Sequence, residues 1–197
     1  MREAVVLRAA VLPRAGILPR AAAIVLGAGL VAAAAQVSIP LPFTPVPITG
    51  QTFAVLLVGA SLGAVDGTAS LALYLLAGIA GAPVYADGAH GWAAVSGTTG
   101  GYLIGFIVAS TLTGALAQRS WDRRFSSSVA AMLSGSVVIY LFGLSWLALE
   151  LNTGLEKTLE LGLYPFVVGD LLKLYLAAAL LPAAWRLIGR SRPGPGA

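Results

Sequence analysis

A series of long apolar runs with very few charges leaves this chain few ways to fold. Crossing a bilayer as a helix takes roughly 20 apolar residues. Residues 20–37 supply one such run, and residues 98–118, 126–149 and 163–188 supply three more. Residues 51–81 form a longer stretch interrupted at Asp66-Gly67. That dipeptide is a turn signal, so the stretch reads as two shorter helices, 51–65 and 68–81. The expected fold is therefore an all-α integral membrane protein with six transmembrane helices. Composition agrees: 58% of the 197 residues are hydrophobic and 10% are charged, against about 25% charged in soluble domains.

The arginines fix the orientation. Arg2, Arg8, Arg14 and Arg20 precede the first run, Arg119, Arg123 and Arg124 separate the fourth from the fifth, and Arg186, Arg190 and Arg192 close the chain. With six crossings all three clusters fall on one side. The opposite loops, 38–50, 82–97 and 150–162, carry Asp87, Glu150, Glu156 and Glu160 and a single basic residue, Lys157. Basic residues accumulate on the cytoplasmic side, so both termini are expected there. The organisation that follows is a cytoplasmic N-terminal segment over 1–19, a membrane domain over 20–189 in the plasma membrane, and a polar Pro/Gly-rich cytoplasmic tail over 190–197, expected to be disordered. One alternative stays open: arginines followed by an apolar run and Ala32-Ala33-Ala34-Ala35-Gln36 also resemble a cleaved signal peptide, which would leave five spans.

Several chemistries are excluded. The chain has no cysteine and one histidine, His90, so neither a thiolate nucleophile nor a Cys/His metal site can be built. No Walker A motif follows any glycine-rich stretch, so nucleotide-driven work would need partner subunits. The net charge of +4 comes from the arginine clusters, which are not interleaved with exposed stacking aromatics as a nucleic-acid surface would require.

Against this background VVGDLLKLYLAAALLP, residues 167–182, stands out. It places Asp170 and Lys173 inside the last apolar run. Residues three apart share a helix face, so the two side chains project together. An ionisable group at that depth is costly and usually faces a protein interior or a water-filled cavity. A self-contained ion pair stabilises little, because desolvation opposes the attraction; the alternatives are such a pair or a ligand site. A carboxylate accepts from N–H groups and an ammonium donates to oxygen, which suits a urea- or amide-like ligand.

Two loops and one helix add detail. SIPLPFTPVPITGQT, residues 38–52, holds Pro40, Pro42, Pro45 and Pro47. Proline cannot continue a helix, so the segment should be extended and stiff, as either a connector or a lid over a cavity. Gln51 and Thr52, which follow it, can bond a polar ligand or cap the next helix. In GAPVYADGAHGWAAVSGTTGGYLIGF, residues 81–106, glycines interrupt helix around Tyr85, Asp87, His90 and Trp92. Tyr85 could stack on a ring, Trp92 suits the interfacial aromatic belt, and Gly100-Gly101 allows close backbone approach. On the first helix Ala28 and Ala32, and Gly29 and Ala33, have the four-residue spacing of small residues that lets helices pack closely.

AQVSIPLPFTPVPITGQT, LAGIAGAPVY, GTTGGYLIGF and PFVVGDLLK occur in an order and spacing that resembles the BioY family, the biotin-binding substrate-specific (S) components of energy-coupling factor (ECF) transporters. The resemblance covers about residues 35–176. It implies six helices, biotin as the transported ligand with no cofactor, and Asp170 and Lys173 in the pocket. Thr44, Gln51, Thr52, Tyr85 and Tyr102 stand in the matching motifs and join them as candidate ligand-binding residues. It also implies that small residues on the first helix, here Ala28 and Ala32, dock a transmembrane coupling subunit driven by two cytoplasmic ATPase subunits. Some members hold the ligand with an arginine in the third loop; this chain has no arginine between Arg20 and Arg119, so Lys173, a loop residue or backbone N–H groups would have to serve. The rival expectations are an S component for thiamine or riboflavin, an intramembrane enzyme using Asp170, and a channel or purely structural bundle.

Overall fold

Four helices of the computed structural model, which describes residues 6–11 and 16–190, are long and apolar enough to cross a membrane: α2 (Ile17–Ala35), α6 (Gly100–Ala117), α7 (Phe125–Leu151) and α9 (Val167–Arg190). Two shorter apolar helices, α3 (Gln51–Leu62) and α4 (Ala64–Ile79), complete the bundle. Short elements decorate it: α1 (Leu7–Val11) before α2, a 3-10 turn (Ala86–Gly88) and α5 (Gly91–Ser96) before α6, and α8 (Leu155–Gly162) before α9. Residues 1–5, 12–15 and 191–197, which include Arg2, Arg14, Arg192 and most of the expected tail, lie outside the described residues.

The break between α3 and α4 is not where the Asp66-Gly67 dipeptide suggested. It falls at Gly63, whose φ of 87° lies in the left-handed region where a side chain is strained. Asp66 and Gly67 belong to the first turn of α4. Asp66 suits that place because a helix N-terminus favours a carboxylate and because two guanidiniums meet it. Arg8 Nη2 is 2.9 Å from Oδ2, Arg20 Nη2 and Nε are 2.7 and 2.8 Å from Oδ1, and Asp66 is buried. The cluster ties α1, α2 and α4 together at one end of the bundle. Gly67 serves packing rather than turning: a Cβ there would stand 2.8 Å from Ser110 Oγ and 3.0 Å from the Gly59 Cα.

Helices in lipid gain little from apolar contact with one another, so close packing and polar bridges hold them. Both devices are present. Gly101 and Gly105 of α6 sit against Trp146, Phe142 and Ile139 of α7; a Cβ on Gly101 would collide with the Trp146 side chain. The expected close approach at Gly100-Gly101 is thus a helix–helix contact. Ser70 Oγ of α4 donates to Ile24 O of α2 at 2.8 Å, and Thr68 and Thr111 join α4 to α6 through their hydroxyls. Such bonds average about 0.6 kcal/mol each in membrane bundles.

The Pro-rich segment is extended, and it is pinned. Ser38 pairs with Thr49 and Ile39 with Ile48 in a two-residue antiparallel ladder, β1 (Ser38–Ile39) with β2 (Ile48–Thr49). The prolines lie between these strands, where no ladder N–H is needed. Thr44 Oγ1 donates to Leu161 O of α8 at 2.6 Å and accepts from Val46 N at 3.2 Å, fastening the far end of the strap. Asn152, with φ 50°, closes α7 and starts the turn into α8, so the loop expected over 150–162 is largely helical.

Candidate functional site

The strap, α3, α6, α7, α9 and the 85–99 segment line a half-open cavity of about 410 Å³. That volume lies within the ~300–1,000 Å³ range of small-molecule pockets. Pro45, Val46 and Pro47 line it on the strap side, and Leu103, Phe106, Ile139 and Phe166 supply apolar walls. Trp146 Nε1 donates to Gly97 O at 2.9 Å and so fixes the backbone that brings Thr98 and Thr99 to the rim.

The polar centre is Asp170. Lys173 Nζ is 2.9 Å from Oδ1, as the i, i+3 spacing on α9 predicts. Thr52 Oγ1 of α3 donates to the same oxygen at 3.1 Å, and Tyr140 Oη of α7 donates to Oδ2 at 2.5 Å. The side chains of Asp170 and Lys173 are 13% and 22% exposed, and both line the cavity. The pair therefore faces a chamber rather than lipid. A carboxylate has about four acceptor positions and an ammonium three donors. Three of the former and one of the latter are used within the protein. What remains at this end of the cavity is one strong acceptor beside two donors, the complement of an N–H group next to a carbonyl.

The other candidate residues divide by position. Gln51 lines the cavity with its amide engaged: Nε2 donates to Tyr74 Oη at 2.6 Å and Oε1 accepts from Thr49 Oγ1 at 3.0 Å. Tyr85 is buried, packs edge-on against Tyr74 with ring centroids 5.5 Å apart, and donates to Leu75 O at 2.6 Å. Part of its surface still reaches the cavity. Tyr102 also lines it, with Oη bonded to Gly162 O at 2.9 Å. Thr44 does not line the cavity; its bonds latch the strap. Trp92 is exposed, and His90 is an exposed loop residue whose Nδ1 lies 3.1 Å from Gly88 O. No group of three His, Cys, Asp or Glu that could hold a metal occurs among the described residues.

On α2 the helix phase separates the two small-residue pairs. Ala28 is 8% exposed and turned into the bundle, and Ala32 is half-buried against the core. The outward pair is Gly29 and Ala33, with nothing near the position a Gly29 Cβ would take. The outer face of this helix therefore runs through Gly29 and Ala33, one residue round from Ala28 and Ala32.

Sequence reasoning missed Tyr140. It sits in SVVIYLFGL, a stretch with no motif, and meets Asp170 across 30 residues of chain. One signal was available: a tyrosine hydroxyl in an apolar span needs a partner. Tyr140 also packs edge-on to Tyr102, with centroids 6.4 Å apart, so the ring whose hydroxyl meets the carboxylate is braced by a second.

Comparison with known proteins identifies the family. A model of the BioY family matches residues 8–190. The biotin transporter BioY of Rhizobium etli is 37% identical over 149 residues, covering 72% of this chain and 79% of that protein. The biotin transporter BioY of Thermotoga maritima is 38% identical over 146 residues, 74% of this chain and 83% of the relative. The crystal structure of the S-component for biotin from an ECF-type ABC transporter superposes with a TM-score of 0.77 at 26% identity, covering 90% of this chain and 93% of that one. The chain belongs to the BioY family.

Proposed function

We propose that this chain is the biotin-capturing membrane component of an ATP-driven uptake transporter. The observation that carries the reading is the partly satisfied Asp170–Lys173 pair facing a half-open, mostly apolar cavity. The ureido ring of biotin has a carbonyl flanked by N–H groups; one N–H matches the remaining acceptor of Asp170 and the carbonyl matches the remaining donors of Lys173. Its thiophane ring and aliphatic tail suit the Leu103, Phe106, Ile139 and Phe166 walls. The Rhizobium and Thermotoga relatives are biotin transporters, and the superposable crystal structure is that of an S-component for biotin; both support the same ligand and the same kind of transporter.

Within this reading α2, α3, α4, α6, α7 and α9 are the six crossings, and the membrane domain spans residues 20–189. At 1.5 Å rise per residue, the 12 residues of α3 and 16 of α4 cover less than a ~30 Å hydrocarbon core. Their junction at Gly63 therefore lies inside the outline of the longer helices, and the Arg8–Asp66–Arg20 cluster plugs that end. Arginine placement supports reading it as the cytoplasmic end, with both termini on the same side and the cavity opening outward. Energy comes from a coupling subunit and two cytoplasmic ATPase subunits, with Gly29 and Ala33 offering the outer helix face for docking.

Biotin uptake by cells that make this chain with a coupling module tests the proposal. The expected result is accumulation of chemically unaltered biotin, abolished by Gly29→Trp while the purified variant still binds biotin. Uptake of thiamine or riboflavin in preference to biotin, or recovery of altered biotin, would overturn it.

A further inference from the structure

A second half-open cavity, of about 270 Å³, lies at the other end of the bundle. α3 joins the two: Gln51 and Thr52 at its start line the first cavity, and Leu62 at its end lines the second. The charged side chains lining the second are Arg8, Arg20 and Asp66, so two guanidiniums stand against one carboxylate. Each guanidinium carries five N–H donors. Asp66 meets Arg8 through Nη2 at 2.9 Å, and Arg20 through Nε and Nη2 at 2.8 and 2.7 Å, which leaves donors over. Arg8 Nε is buried and has no hydrogen-bond partner among the described residues, and a buried donor left unpaired is costly. The backbone adds the same sign. Gly63, Ala64 and Val65 bring the N-terminus of the 16-residue α4 to the cavity wall, the positive end of the helix dipole. Gln118, which accepts from Ala64 N at 3.3 Å, brings the loop carrying Arg119, Arg123 and Arg124 to this end as well.

We propose that this second cavity binds a phosphate group, carried by an anionic phospholipid or by a free phosphate. Guanidinium forks pair with phosphate oxygens, and a helix N-terminus accepts the same anion. A phosphate oxygen supplies the acceptor that Arg8 lacks, and the charge of the group offsets the guanidinium that Asp66 leaves unbalanced. The neighbourhood favours the lipid as the source. Val65, at the cavity wall, is 68% exposed. Ile17, three residues before Arg20 and so on its face of α2, is 88% exposed. Basic pockets between spanning helices take lipid head groups, and exposed apolar side chains beside this one leave room for acyl chains. A bound phosphate also bridges α1, α2 and α4, whose junction is the Arg8–Asp66–Arg20 cluster, so it stabilises the folded chain.

Native mass spectrometry of the purified full chain in a neutral detergent tests this, with unfolding temperature read on the same samples. The probes are phosphatidylglycerol, phosphatidylcholine and inorganic phosphate. Phosphatidylglycerol is expected to be retained and to raise the unfolding temperature, as a ligand of the folded state does. Phosphatidylcholine, whose choline cation meets the same surplus charge, should bind at least fivefold more weakly. Arg8→Gln and Arg20→Gln each leave Asp66 one guanidinium, and each should weaken phosphatidylglycerol binding roughly fivefold, the share of one basic residue near an anionic lipid. Arg124→Gln removes the same charge from an exposed residue outside the cavity and should change binding less than twofold. Circular dichroism checks the folding of each variant, so the outcome does not depend on biotin as the ligand of the first cavity. If a cavity variant does not fold, the wild-type comparison of the probes decides alone. Stabilisation by inorganic phosphate equal to that by phosphatidylglycerol would support the phosphate site and make its source soluble. Equal retention of the two lipids without a response to inorganic phosphate, or an Arg124→Gln loss as large as those of Arg8→Gln and Arg20→Gln, would overturn the proposal.

Discussion

Replacing Asp170 with asparagine removes the charge around which three helices converge while preserving the shape of the side chain. The carbonyl oxygen of asparagine can still accept from Lys173 and Thr52 at the Oδ1 position. At the Oδ2 position an NH₂ now faces Tyr140 Oη, which lies 2.5 Å away and must turn its own proton elsewhere. Two costs follow. Lys173, 22% exposed, loses its counter-charge; breaking a fully buried pair costs about 3–5 kcal/mol. Partial solvent access reduces this, so the expected loss of stability is about 1–3 kcal/mol. Separately, the ligand N–H loses a charged acceptor, worth about 1.5–3 kcal/mol. At 1.4 kcal/mol per tenfold, that weakens binding by roughly 10- to 150-fold. Thermal unfolding in detergent reads the first cost and calorimetric titration with biotin the second. The double variant Asp170→Asn/Lys173→Met separates them, because it removes the stranded ammonium and should recover stability without recovering affinity. A folded Asp170→Asn protein with unchanged affinity, or a double variant that binds like the wild type, would refute the reasoning and leave the pair a structural feature.

Three other outcomes follow from the same geometry. Tyr140→Phe deletes one charge-assisted hydrogen bond from Asp170 and should weaken biotin binding by up to about 1.5–3 kcal/mol, measured by titration, with little effect on secondary structure by circular dichroism. Gly101→Leu forces a side chain into Trp146 and Phe142 O, so it should separate α6 from α7 and lower the unfolding temperature by several degrees, whereas Gly29→Leu, which meets open space, should not. Burial pushes the Asp122 carboxyl above its ordinary value, opposed by the hydrogen bond from Trp185 Nε1 and by Arg123. A carboxyl raised in the folded state favours folding when protonated, so its contribution is full below the ordinary carboxylate value of about 3.9 and is lost as pH rises through the raised one. Asp122→Asn should flatten that part of the stability–pH curve, read as unfolding temperature in detergent.

How much of this was legible beforehand depended on the reach of each interaction. The apolar runs mark α2, α6, α7 and α9 because spanning length is a local property. The facing of Asp170 and Lys173 was legible for the same reason, since i, i+3 geometry is internal to one helix. Asp66-Gly67 misled because the pattern of a turn was stronger than the absent signal of its real partners: Arg8 and Arg20 reach Asp66 from 58 and 46 residues away. Gly63, the actual break, is one glycine among 24. The phase of α2 was hidden because the helix is apolar on every side, so nothing in its pattern told Ala28 from Gly29 until the bundle was assembled. Tyr140 was hidden by distance along the chain, although it makes the shortest contact to the carboxylate at the centre of the site.

The account rests on biotin occupying the chamber beside Asp170 and Lys173, and a titration of the purified, detergent-solubilised chain with biotin measures this most directly, with Lys173→Ala alongside. One molecule of biotin per chain, bound in preference to thiamine and riboflavin and weakened at least tenfold in the folded variant, is the predicted result. An isotherm showing no binding to the wild type, or equal affinity in the variant, would contradict it.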